Sequence, residues 1–106
     1  MKSVAIRHTI NYYSAMEFFY WNLEKNERFK KERGICFEDI ILRIHTGHVL
    51  AVMEHPKKEN YPKQMIMIIS VDEYAYMVPF VPHEKGFLLK TIIPSRKYTK
   101  KYLRGA

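Results

Sequence analysis

Seven consecutive residues, Met65-Ile66-Met67-Ile68-Ile69-Ser70-Val71, constrain this chain most. The run is apolar at odd and even positions alike. A strand built from it has no face to give to water, which places it at the centre of a sheet. Its neighbours read as further strands. Residues 48–54, HVLAVME, come before it, separated by a polar loop over 55–64 that carries two prolines. Asp72-Glu73 is a tight hairpin link, and Tyr74 to Val81 continues as a strand with aromatics at Tyr74, Tyr76 and Phe80. Pro79 lacks a backbone donor and so requires an edge or a bulge. His83 to Gly86 turns the chain into a last strand, Phe87 to Ile93.

Helical signals flank this β region. Glu17-Phe18-Phe19-Tyr20-Trp21 is a short aromatic strand, and Asn22 caps a helix that runs to about Arg33. Glu24 lies in its first turn and Lys30, Lys31 and Arg33 in its last, the arrangement that complements the helix dipole. Gly34 is the expected left-handed stop, followed by Ile35. Cys36 and Asp39 form a capping-box pattern, after which Phe37, Ile40, Ile41 and Ile44 make one apolar stripe ending at Thr46-Gly47. At the far end Pro94-Ser95 breaks the last strand. Ser95 caps a helix from Arg96, with Tyr98 and Tyr102 on one face. The expected fold is α+β: two N-terminal helices, an antiparallel four-stranded meander sheet and a short C-terminal helix. A chain of 106 residues forms one domain. Met16 precedes the first recognisable motif and is a candidate natural start, which divides the chain into an N-terminal extension, 1–15, and a domain, 16–106.

Lys and Arg outnumber Asp and Glu by 18 to 11, a formal charge of +7. Such a surplus favours phosphate-rich partners, nucleic acid before an anionic membrane. No apolar run approaches the roughly 18 residues that span a bilayer, and the first fifteen residues lack a signal-peptide core. The single cysteine, Cys36, excludes an internal disulfide and suits a reducing compartment, so a cytoplasmic location is expected. From Lys90 to Arg104 there are six basic residues and no acidic one.

The sequence has no phosphate-cradling glycine loop, no serine elbow and no CxxC. His45 and His48 lie three apart with Gly47 between them, which is no ligand pattern, so neither metal nor cofactor is expected. The chemistry that suits a small basic sheet is cleavage of RNA by its own 2′-hydroxyl. It requires a base, a proton donor and cations for the developing phosphorane charge. Arg96, at a helix N-terminus and with a fork for two phosphate oxygens, is the first candidate. Tyr98 and Tyr102 can stack on bases or donate a proton, or can pack their helix onto the sheet. Glu54 and His55 are acid/base candidates, or ordinary strand-end polarity. The Lys30-Lys31-Arg33 turn is expected to form a second wall facing the C-terminal helix. A basic surface of this kind also serves a non-catalytic module that binds RNA or joins a DNA complex, because charge supplies affinity without chemistry.

Two stretches carry a family resemblance. Phe19-Tyr20-Trp21-Asn22-Leu23-Glu24-Lys25-Asn26, followed by Lys31-Glu32-Arg33-Gly34-Ile35-Cys36-Phe37-Glu38-Asp39, resembles the opening of the BrnT toxin family, F-x-W-D-x-x-K and then K-H-G-[IV]-S-F-E-E. Thr91 to Tyr102, TIIPSRKYTKKY, is similar to the family's R-I-I-S-A-R-x-A-x-x-x-E-x-x-Y. Together they cover about residues 17–103. The resemblance implies a bacterial type II toxin with a RelE-like fold, acting as a metal-independent ribonuclease that stops translation. It also implies a cognate ribbon-helix-helix antitoxin (BrnA-like), with operator DNA contacted only through that complex. Lys25, Lys31, Phe37, Glu38 and Arg96 match the pattern. Catalysis is then assigned to Arg96, Lys31, Arg33, Glu54, His55 and Tyr102, and RNA binding to Lys25, Lys30, Lys97, Lys100, Lys101 and Tyr98. Arg33 replaces the family histidine, which keeps phosphate binding and removes proton transfer there. Asn22 replaces an aspartate and still caps. Lys101 stands where acidic residues are common.

Overall fold

The computed structural model describes residues 13–16 and 18–104. The expectations for residues 1–12, most of the proposed extension, lie outside the described residues. The elements are β1 (Tyr13–Met16), β2 (Phe19–Asn22), α1 (Leu23–Arg33), α2 (Phe37–His45), β3 (Val49–Glu54), β4 (Met65–Val71), β5 (Tyr74–His83), β6 (Gly86–Leu89), β7 (Ile93–Pro94) and α3 (Arg96–Leu103). The proposed domain boundary at Met16 falls inside β1, which pairs antiparallel with β2.

Strand β4 is covered on both faces, by different layers. Met65, Met67, Ile69 and Val71 meet Trp21, Phe29, Phe37, Ile40 and Ile41 on the side of α1 and α2. Ile66 and Ile68 join Ala75 and pack against Tyr98, Tyr102 and Leu103 of α3. The α2 stripe anchors the first layer, since Phe37, Ile40 and Ile41 are at most 1% exposed. Each contributes about 1.5–3 kcal/mol by leaving water.

The sheet corrects the expected architecture. It is mixed rather than antiparallel, and it holds seven strands rather than four among the described residues. The order is β1-β2-β6-β5-β4-β3, with β7 beside β5. Strands β3 to β6 do form an antiparallel meander. The extra feature is β2, which fills the outer side of β6 in parallel, pairing Phe19 with Phe87 and Tyr20 with Leu88. The close approach there needs a glycine. A Cβ on Gly86 would lie 1.9 Å from the Phe18 carbonyl oxygen, while the Phe87 N–H donates to that same oxygen at 2.8 Å.

The expected single strand over 87–93 is two strands. Between the pairs Phe80–Leu89 and Met77–Ile93, β5 uses two residues and the returning chain three. Pro79 stands at this bulge. Its carbonyl accepts from the Lys90 N–H at 2.8 Å, so its missing donor faces the interruption, where no ladder partner is needed. Strand β5 also runs on past Val81 to His83.

The caps follow local chemistry. Asn22 Oδ1 accepts from the Lys25 N–H at 2.8 Å, Gly34 closes α1 at φ 68°, and Asp39 Oδ2 accepts from the Cys36 N–H at 3.1 Å. Asn26, buried on α1, ties the two helices together. Its Oδ1 accepts from the Phe37 N–H and its Nδ2 donates to Glu38 Oε1, both at 2.7 Å. Burial would raise the Glu38 carboxyl. The Asn26 hydrogen bond, backbone and Cys36 contacts and the Lys30 charge outweigh it and hold the group below its ordinary value. A depressed carboxyl stabilises the fold when ionised. That contribution is present above the ordinary glutamate value of 4.5 and lost as pH falls through the lower folded value. The expected result is that Glu38→Gln lowers the urea midpoint at pH 7, with the gap to the parent closing below pH 4.5. A gap that stays constant with pH would show the carboxylate to be uninvolved.

Candidate nucleic-acid interface

Helix α3 is held to the sheet by hydroxyls. Ser95 Oγ accepts from the Tyr98 N–H at 3.1 Å, capping the helix. Thr99, 2% exposed, accepts from the Ala75 N–H at 2.8 Å and donates to the Ser95 carbonyl at 2.7 Å. Because β7 reaches only Tyr76 of β5, the Thr99 side chain supplies the partner that a further strand residue would have given Ala75.

These bonds fix the orientation of α3. Tyr98 and Tyr102 turn toward the sheet, their rings 5.9 Å apart and 26° from parallel, and the Tyr98 hydroxyl donates to Met53 Sδ at 3.5 Å. Lys97 Nζ lies 5.3 Å from the Tyr98 ring and Lys101 Nζ 5.2 Å from the Tyr102 ring. The tyrosines thus pack the helix and carry lysines over their rings. The row Arg96, Lys100 and Arg104, four residues apart, lines a groove of about 600 Å³ with Thr99 and Tyr74. At 1.5 Å per residue the row extends about 12 Å. Beyond Arg104 an adjoining hollow of about 360 Å³ reaches Ser70, Asp72 and Glu73. Asp72 and Glu73 are both left-handed, at φ 51° and 66°, as a two-residue hairpin turn of this twist requires.

Comparison with family models, curated proteins and solved structures finds no match for this chain.

The two predicted basic walls belong to opposite layers of the sheet, and both adjoin the segment between β6 and α3. Arg33 Nη1 donates to the Ile92 carbonyl at 2.8 Å and its guanidinium stands 4.3 Å over the Phe29 ring. Arg96 follows four residues later, at most about 14 Å away between Cα atoms. Lys25 Nζ donates to the Lys90 carbonyl at 2.9 Å. Lys30 pairs with Glu27 at 3.3 Å, and Lys31 is exposed. Arg33 and Lys25 therefore brace the segment that delivers Arg96.

Glu54 and His55 lie apart from the α3 groove lining. Glu54 opposes Met65, on the α1 and α2 side, and pairs with Lys58 at 3.3 Å. His55 Nδ1 accepts from the Lys57 N–H at 3.0 Å, with its ring 4.4 Å from Tyr61. The other described histidines are also placed elsewhere: His45 Nδ1 at 3.0 Å from the Ile41 carbonyl, His48 beside Thr46, and His83 edge-on to Tyr20. Among the described residues no group of three or more His, Cys, Asp or Glu could hold a metal ion. The Cys36 thiol is pushed up to about 11, chiefly by burial, which keeps it protonated and poorly nucleophilic at neutral pH. Tyr74, Thr99 and Arg104 in the groove, and Glu73 in the adjoining hollow, are residues that the sequence did not assign to the site. Tyr74 was legible only as a strand aromatic, and Glu73 only as a turn.

Proposed function

We propose that this chain binds RNA along α3 and cleaves it, as a metal-independent endoribonuclease of the BrnT-like toxin type on a RelE-like fold. The row Arg96, Lys100 and Arg104 beside Tyr74 carries the proposal. Three cations over about 12 Å suit successive phosphates, and Tyr74 offers a ring for a base. Arg96, at the N-terminus of α3, is the group to neutralise the phosphorane formed when a 2′-oxygen attacks. Tyr74 lines the groove with Arg96, and its hydroxyl is the group to give a proton to the leaving 5′-oxygen. On this reading the partner is a ribbon-helix-helix antitoxin, DNA is met only through that complex, and the protein works in the cytoplasm. Among the described residues no helix is long and apolar enough to cross a membrane.

Induced expression tests the proposal. The parent should slow growth and fragment cellular RNA, and Arg96→Ala should cut RNA about 100-fold more slowly. A parent that leaves growth and RNA intact overturns it. A second reading, binding without cleavage, is favoured by one observation: among the described residues no histidine lines the groove. Purified protein that binds RNA with steep salt dependence and leaves it whole selects that reading.

A further inference from the structure

Cations converge at a second place, at the other end of the segment that leads into α3. A concavity of about 200 Å³ lies where β6 leaves the ladder, and its charged lining is Lys25, Arg28, Lys90 and Glu24. The Asn22 cap sets the first turn of α1, and the three-residue spacing of Lys25 and Arg28 puts both on one face. Lys25 Nζ spends one N–H on the Lys90 carbonyl at 2.9 Å and keeps two for a ligand. Its ammonium is held below the ordinary lysine value, first by partial burial and then by the positive charges of Lys90 and Arg28. Three cations thus face one carboxylate, and an anion seated between them relieves their repulsion.

We infer that this concavity is a second phosphate subsite, occupied by a backbone phosphate of the same RNA strand that lies in the α3 groove. The inference rests on the RNA reading above. Lys90 and Arg96 are six residues apart, a Cα separation of at most about 20 Å, so one strand of several nucleotides reaches both. A dinucleotide has a single bridging phosphate and fills one site at a time.

The test uses the full chain, an unstructured 12-nucleotide single strand and a dinucleotide. The double variant Arg28→Gln, Lys90→Gln removes two exposed charges and leaves the Lys90 backbone bonds in place. For the 12-mer, the slope of log K against log salt should fall by about 0.7 for each phosphate no longer neutralised. Arg28→Lys in place of Arg28→Gln should restore part of that slope, and unchanged melting should confirm folding. Arg96→Gln should weaken both ligands, while the double variant should weaken the 12-mer more than the dinucleotide. A parent that binds the 12-mer with a slope the double variant leaves unchanged overturns this inference alone. A parent that fails to bind the 12-mer overturns the RNA reading, and this inference with it.

Discussion

Replacing Gly86 by alanine is expected to destabilise the protein by about 3 kcal/mol or more, at or above the upper end of ordinary overpacking. The new methyl would sit 1.9 Å from the Phe18 carbonyl oxygen and 2.6 Å from its carbon. These are backbone atoms, so no rotamer change relieves the clash. The strands must separate, which endangers the Phe87–Phe18 hydrogen bond and the two bridges between β2 and β6. Gly34→Ala is the contrast. That position has φ 68° and nothing within 4 Å of the added carbon. Its cost is left-handed strain alone, roughly 1–2 kcal/mol. Urea unfolding of both variants measures the difference. A Gly86→Ala midpoint equal to that of the parent would mean that β2 does not lie against β6.

Thr99→Val is expected to cost about 1–3 kcal/mol, a fall in Tm of roughly 5–20 °C, although the two side chains have nearly one shape. The hydroxyl serves the Ala75 N–H and the Ser95 carbonyl together, and valine leaves the first without its partner. Thr99→Ser keeps the hydroxyl and loses one buried methyl, about 0.8 kcal/mol. If α3 binds RNA as proposed, Thr99→Val should also weaken that binding with little change in salt slope, since it removes no cation and only loosens the helix that aligns them. A valine variant as stable as the serine variant would show that the hydroxyl does not hold α3.

The legible parts of the fold were those decided within a few residues. Asn22 with Lys25, Cys36 with Asp39, and Ser95 with Tyr98 are contacts across one turn, and each cap stands where the residue types indicated. That β4 is paired on both sides and covered on both faces was equally legible, because a strand without a polar face has few alternatives, although the order puts it second from the β3 edge and not at the centre. The parallel β2–β6 pair was not, because no local pattern says which distant strand covers an open edge. The break at Lys90 to Ile92 follows from the β5 register and Pro79, which only the assembled sheet reveals. The candidate site was legible as charge and not as geometry. Arg96 and Lys100 line the groove as residue types suggested, whereas Glu54 and His55 belong to a different strand end. Tyr74 enters the groove because β5 starts at the sheet rim beside α3, a fact of packing.

The β2–β6 bridges join residues 68 positions apart in the sequence. A ribosome makes Phe19 and Tyr20 early and must then add those positions before Phe87 and Leu88 exist, a delay of about 3–14 s at ordinary elongation rates. Throughout that interval an aromatic strand has no parallel partner, and α3 has not yet been made. The cationic row is therefore the last part of the described chain to be synthesised, and it docks onto strands that have already left the ribosome's active centre.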